Sequence, residues 1–216
     1  MGNASNGQII DVWAQPAINA SLLPEVVRVF EQSGSAHLLD QELSPAHLVE
    51  LMDQAGVERV VPWLWNRPPN DKFYFPLYVK CIELDIPFCT QVGYTGPLMP
   101  SEPGRPIPYL DEVALTFPDL RIVAGHIGYP WTDEMIGMAW KHANVFIDTS
   151  AYAPRYYPPQ LVHYLTTYGQ DKVLFGANFP QLSWERCVQQ VQAMNLPEEI
   201  QAKFLGGNAR RVFRLD

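Results

Sequence analysis

Residues 120–149 read LRIVAGHIGYPWTDEMIGMAWKHANVFIDT, and the order of elements in this stretch decides the fold. Leu120–Gly125 and Val145–Thr149 are short, β-branched apolar runs of strand length, and Thr132–His142 between them has helical periodicity. The same alternation extends in both directions. Strand-like runs recur at Gln8–Ala14, Val57–Trp65, Ile86–Val92 and Lys172–Gly176. Helical segments fall at Pro45–Ala55, Asp71–Leu84, Tyr109–Phe117, Pro159–Tyr168 and Trp184–Met194, with a last one from about Pro197 to Val212. The six strands start about 33 residues apart on average, which suits βα units with right-handed crossovers and predicts a parallel sheet. Near-continuous apolar strands predict cover on both faces.

Composition narrows the function classes. The 216 residues, 24.5 kDa, are 47% hydrophobic and 12% aromatic, enough to bury a core and to exclude disorder. Only 18% are charged, and 15 Lys and Arg against 23 Asp and Glu give a net charge of −8 with no basic run, which argues against a nucleic-acid partner. No apolar stretch approaches the roughly 18 to 20 residues of a spanning helix, so no membrane partner is expected. The opening MGNASNGQ lacks the basic and apolar regions of a signal peptide, and the expected location is cytoplasmic. Cys81, Cys89 and Cys187 are odd in number and set in apolar surroundings, which fits buried thiols rather than a disulfide framework. The 20 prolines recur at element boundaries and point to well-defined loops.

Chemistry-bearing residues gather at the strand ends. After the first strand comes Gln15-Pro16 with no Gly-rich fingerprint, so a dinucleotide site has no support. Instead Trp13 and Gln15 end the first strand, Trp65, Asn66 and Arg67 the second, Tyr94 the third, His126 the fourth, Asp148 the fifth and Asn178 the sixth. A TIM-type barrel builds its active site from these positions and the βα loops that follow them. Eight units at the observed spacing need roughly 250 residues, whereas this chain offers six.

Three runs carry a family resemblance: GHIGYPWTDEMIGMAWKHANVFIDTSAYAPRYYPP, then DKVLFGANFP, then KFLGGNARRVF. They resemble the amidohydrolase superfamily, in particular its amidohydrolase-related, aminocarboxymuconate-semialdehyde decarboxylase-like branch. The likeness extends back through PWLWNRPPNDKFYFPLYVKCIELDIPFCTQVGYTGPLMPSEPGRP, and IIDVWAQP resembles the family's first strand. The resemblance implies a TIM barrel with a divalent metal held by a first strand reading Asp-x-His-x-His, a histidine after the strand that here precedes Tyr94, and the aspartate of a Gly-x-Asp-Phe-Pro pattern. The matching positions here are Trp13, Gln15, Tyr94 and Asn178. Indole cannot coordinate, and amide or phenol oxygens are weak substitutes for imidazole and carboxylate. No metal and no other cofactor is expected. His126, in GHIG, matches the family position that moves protons, so the resemblance implies metal-free acid–base chemistry with His126 as the proton carrier.

The resemblance also implies a deletion. AGVERVV resembles the end of the family's first helix and the start of its second strand, whereas PWLWNRPPND resembles the loop after its fourth. About two βα units are then absent, and the expected fold is α/β, a truncated TIM-type barrel of about six parallel strands with outer helices. One domain is expected over residues 1–216, with a loop and helical insertion at 17–45 and a C-terminal helix at 197–216. A shortened barrel leaves a parallel edge to cover, so a homodimer or higher oligomer is expected.

The expected function is a metal-independent small-molecule enzyme performing lyase, dehydration, condensation or cyclisation chemistry on an apolar or aromatic substrate, in a secondary-metabolic setting. The alternatives are a non-catalytic pseudoenzyme that binds a ligand or serves as a scaffold, and a hydrolase with a metal at a non-family site. Candidate catalytic residues are His126, Tyr94 and Asp148. Candidate substrate-binding residues are Trp13, Gln15, Trp63, Trp65, Arg155 and Asn178. The proline-rich loop Ser101–Pro106 reads either as a rigid lid or as scaffold.

Overall fold

The computed structural model describes residues 9–12, 27–28, 31–32, 34, 54, 68–94 and 100–215. Within them, β1 (Phe88–Gln91), β2 (Ile122–Gly125), β3 (Val145–Asp148) and β4 (Val173–Leu174) form a parallel sheet in the order β1-β2-β3-β4. The register pairs Gln91 with Gly125, Ala124 with Ile147, and Asp148 with Leu174. The helices that cross between strands are α1 (Phe75–Glu83), α2 (Asp111–Thr116), α3 (Thr132–Lys141) and α4 (Pro159–Thr166). After β4 come α5 (Trp184–Ala193), α6 (Glu198–Ala202) and α7 (Asn208–Phe213). The α/β alternation expected from the sequence is therefore present from β1 onward. The expected strand at Val57–Trp65 lies outside the described residues, as does the helix at Pro45–Ala55 apart from residue 54.

Local chemistry sets where these helices begin. The Asp71 carboxylate accepts from the Phe73 N–H at 2.8 Å, starting the turn Lys72–Tyr74 that leads into α1, and Pro76 occupies the first turn of that helix. The Ser183 hydroxyl accepts from the Arg186 N–H at 3.3 Å at the head of α5. Asp111 and Glu112 open α2, and Asp133 and Glu134 open α3, where acidic groups meet the positive end of the helix dipole.

The C-terminal segment departs from the single helix expected over 197–212. It forms α6, a wide turn at Lys203–Gly207, and then α7. That turn puts two carbonyls to use outside the helix. Phe204 accepts from Phe175 N–H at 3.2 Å, and Leu205 accepts from Ile10 N–H at 2.8 Å. The Val12 N–H in turn donates to the Phe175 carbonyl at 3.1 Å, which places residues 9–12 on the β4 side of the sheet. Beginning and end of the chain are thus joined through one short run of backbone.

Both faces of the sheet are covered, as the apolar strands predict. Phe88, Ile122, Ala124, Val145, Ile147, Val173 and Phe175 enter the large core beneath the helices. Cys89, Val123, Phe146 and Leu174 point the other way and pack with Ile10, Val12 and with Ala209 and Val212 of α7. Continuing along that second face, the next positions are Gln91, Gly125, Asp148 and Gly176, so an apolar layer gives way to a polar, glycine-containing one toward the C-terminal strand ends. All three cysteines are free and buried, and burial pushes the Cys187 thiol up to about 12.

Phe204 joins these parts: its ring is fully buried and meets Tyr157 and Phe175 edge-on, with centroids 6.4 Å and 5.9 Å away. Phe204→Ala is expected to cost about 3–5 kcal/mol of unfolding free energy, measured by denaturant titration. A loss below about 1 kcal/mol would mean that the C-terminal turn does not anchor the sheet.

Candidate functional site

The residues that end β2, β3 and β4 share an unusual backbone. His126 and Ile127 have φ of 68° and 51°, Ala151 has 65° and Asn178 has 61°, all in the left-handed region. Asparagine adopts it at little cost, but a β-branched residue such as Ile127 does so rarely. Strain of this kind costs roughly 1–3 kcal/mol per residue and gathers where a site fixes side chains in place. Here it recurs after three consecutive strands, on the edge of the sheet where the polar layer begins.

His126 is buried against the end of β3. Its Nδ1 lies 2.7 Å from Ser150 Oγ. Burial drives the imidazole down to about 3, and a hydrogen bond to the Ser150 backbone offsets this only in part, so the ring is neutral at ordinary pH. Asp148, at the end of β3, is fully buried and accepts from the Ser150 N–H through Oδ1 at 2.6 Å. Burial raises its carboxyl well above the usual range, Ser150 pulls it back through both backbone and hydroxyl, and Asp11 raises it further. Asp148 Oδ2 has no hydrogen-bond partner among the described residues. The carboxyl fits only because position 176 is glycine. A Cβ there would run into Asp148 Oδ1.

Asp11 itself accepts from the Ala177 N–H at 3.1 Å and from Trp184 Nε1–H at 2.6 Å, tying residues 9–12, which pair with the sheet through backbone hydrogen bonds without forming the expected strand, to the segment after β4 and to α5. Two N–H donors supply what a buried carboxylate needs.

Three tyrosines border this cluster. Tyr94 and Tyr129 meet edge-on at 5.9 Å, and Tyr129 and Tyr152 lie 5.8 Å apart. Tyr94 N–H donates to the Tyr129 carbonyl at 2.8 Å. The two turns can approach because residue 93 is glycine with φ of 105°, where a Cβ would come within 2.5 Å of that carbonyl oxygen. Burial, with the Tyr94 phenol beside it, pushes the Tyr152 hydroxyl up, so it stays protonated at ordinary pH.

The structure brings His126 and Asp148 together through Ser150 and sets an exposed Tyr94 against Tyr129. Asn178 is buried at the end of β4, and its Nδ2 donates to Gln181 Oε1 at 2.6 Å. Arg155 is exposed, with its guanidinium 4.5 Å over the Tyr156 ring and its backbone N–H on Gln190 of α5, so these contacts join it to the outer helix layer. Trp13, Gln15, Trp63 and Trp65 lie outside the described residues. The Ser101–Pro106 loop is pinned rather than hinged: Gly104 carbonyl accepts from Gly93 N–H at 2.7 Å, and Arg105 holds Glu134 through two nitrogens. Ser150, Tyr129, Tyr152 and Asp11 were not singled out by sequence reasoning. The one signal for Ser150 was its place two residues beyond a strand-end aspartate.

The donor chemistry does not fit a divalent ion of the family type. Trp13 offers no lone pair, Gln15 and Asn178 offer amides, and the Asn178 nitrogen is engaged with Gln181. Among the described residues, no group of three or more His, Cys, Asp or Glu could hold a metal.

Residues 21–215 match a family model described as Amidohydrolase. No curated protein matches the chain. Among solved structures, an uncharacterised TIM-barrel protein from Bordetella bronchiseptica is similar at 20% identity with a TM-score of 0.77, over 95% of this chain and 98% of that one. The 5-carboxyvanillate decarboxylase of Sphingomonas paucimobilis is similar at 15% identity and a TM-score of 0.58, over 98% of this chain and 100% of that one. A 2,6-dihydroxybenzoate decarboxylase complexed with 2,6-dihydroxybenzoate gives 16% identity and a TM-score of 0.58, over 97% and 99%. These likenesses place the α/β sheet in the TIM-barrel class. None of the helices among the described residues is long and apolar enough to cross a membrane.

The depressed His126 has a consequence for stability. An unfolded chain takes up this proton near the ordinary value of 6.5, whereas the folded protein does so only near 3. Between these values the unfolded state binds more protons, so the contribution is whole above about 6.5 and is lost as pH falls toward 3. His126→Asn is expected to flatten the fall of melting temperature between about pH 6.5 and pH 4 relative to the unmodified protein. Parallel curves would show that His126 is not held as a buried neutral ring.

Proposed function

We infer, from a chain that belongs to the amidohydrolase family over residues 21–215, that it is a metal-independent enzyme of lyase type acting on an apolar or aromatic small molecule through His126. The observation that carries this reading is the neutral imidazole held at a strand end by Ser150, beside a buried carboxyl and three tyrosine rings. A neutral imidazole at ordinary pH can take a proton from a reacting carbon or oxygen and return it, which is the work of decarboxylation, dehydration or cyclisation. Tyr152 contributes a hydroxyl that stays protonated and can donate to a developing oxyanion.

The rings of Tyr94, Tyr129 and Tyr152 favour a planar, largely uncharged substrate face. Arg105, on the pinned loop, is occupied by Glu134, which also argues against a strongly anionic ligand at that point. Two of the similar solved structures are decarboxylases by name, one of them complexed with a hydroxylated benzoate, and they lend support to lyase chemistry on a ring. Amide hydrolysis is less well supported, because it calls for an activated water and the family's metal-ligand positions carry Trp13, Gln15, Tyr94 and Asn178.

The test is a panel of hydroxylated and carboxylated aromatic compounds, followed for release of carbon dioxide or loss of water. Turnover is expected to survive dialysis against EDTA and to fall by about 10² or more in His126→Ala with the fold retained by circular dichroism. Loss of activity on chelation, restored by zinc or manganese, would overturn the metal-independent reading. Undiminished turnover in His126→Ala would remove this residue from the mechanism.

A further inference from the structure

The polar layer at the strand ends holds two oxygens that nothing among the described residues completes. Gln91 Oε1 and Asp148 Oδ2 are both buried and lack a hydrogen-bond partner there. They belong to the same face of the sheet. Cys89, Val123 and Phe146 pack together in the apolar layer below, so Gln91, Gly125 and Asp148, each two positions further on, follow on that side. Gln91 is registered with Gly125, and the pairing of Ala124 with Ile147 brings Asp148 alongside Gly125 from β3. The row thus runs Gln91, Gly125, Asp148, two strand spacings or about 10 Å from end to end. Its middle member has no side chain, and the next residue along that strand is His126.

The amide of Gln91 has one orientation that fits. Its Nε2 donates to the Tyr94 carbonyl at 3.0 Å, and the reverse orientation would set oxygen against oxygen. Oε1 is therefore the end left without a partner, and as a carbonyl oxygen it can only accept. A buried acceptor left unpaired is costly, and in a native structure it marks a place that water or a ligand completes. Gln91 is half-buried and Tyr94 beside it is exposed, so this end of the row lies toward the outside, whereas Asp148 is wholly inside. With an incomplete polar group at each end, the row is a poor match for a ring edge that is apolar throughout.

We propose that Gln91 is a specificity-determining residue: its Oε1 accepts a hydrogen bond from a hydroxyl group on the substrate ring, and the site therefore selects hydroxylated aromatic compounds over rings that carry no donor. The proposal rests on the reading that the substrate is an aromatic small molecule. A site with a buried acceptor discriminates against an analogue that lacks the matching donor, because that analogue leaves the acceptor unpaired on binding.

The experiment measures binding to the full-length protein by ligand-observed NMR and titration calorimetry. Resorcinol is the hydroxylated probe, and 1,3-difluorobenzene, a ring of similar size without a donor, is its counterpart. Resorcinol is expected to bind at least about 10-fold more tightly, against the greater hydrophobicity of the fluorinated ring. Gln91→Met, close to glutamine in length but without the amide oxygen, is expected to remove most of that preference. Equal affinities in the unmodified protein overturn the proposal without any variant having to fold. A preference that survives in Gln91→Met, with the fold checked by circular dichroism, overturns it equally, since the hydroxyl is then met by another group. Failure of both rings to bind removes the aromatic-substrate reading and this proposal with it, whereas equal binding of the two removes the proposal alone.

Discussion

Asp148 lies fully buried close enough to a second buried carboxyl group, Asp11, for that neighbour to raise the cost of its charge, and every such group must find donors or a proton before the sheet can close around it. The solutions differ. Asp11 takes two N–H donors, from Ala177 and from Trp184. Asp148 has the Ser150 N–H on one oxygen and no partner among the described residues on the other. Meeting these needs draws together residues 9–12, the segment after β4, α5 and the loop after β3. The glycine at 176 is part of the same arrangement, because a side chain there would displace the Asp148 carboxyl.

Seen from this pair, the strand ends form a graded surface. The layer made by Cys89, Val123, Phe146 and Leu174 is apolar and packs on α7. One step further along the strands, Gln91, Gly125, Asp148 and Gly176 replace it, and beyond them stand His126, Ser150 and the tyrosine rings. Apolar packing below thus holds a polar site above in a setting of low dielectric, where hydrogen bonds act strongly and an imidazole stays neutral. The left-handed residues after β2, β3 and β4 fit this picture. Strained turns persist where tertiary packing over-determines them, and here a well-packed core lies directly beneath.

Much of the fold could be read from the chain. Periodicity located β1 to β4 and most of the helices between them to within a few residues, since a strand buried on both faces must be apolar throughout and a crossover helix must carry an apolar stripe. The C-terminal helix was read as one piece, although its middle is a wide turn. Helical periodicity cannot register that the Phe204 and Leu205 carbonyls are needed by Phe175 and Ile10, residues far away in sequence. Of the candidate site, the strand-end placement of His126, Asp148, Tyr94 and Asn178 was legible because strand-end positions follow from the strands themselves. Arg155 follows β3 just as closely, yet it stacks on Tyr156 at the outer helix layer, a direction set by the 3-10 turn at Pro154–Tyr156.

The sequence by itself determined the α/β alternation, the positions at which side chains would reach the strand ends, and the absence of imidazole and carboxylate from Trp13, Gln15, Tyr94 and Asn178, because each depends on residue type and spacing alone. Only the tertiary structure decided that Ser150 stands between His126 and Asp148, that Asp11 is close enough to raise that carboxyl, and that three tyrosines from separate loops share one rim. Those relations depend on distances between segments far apart in the chain, which packing sets and local sequence does not encode.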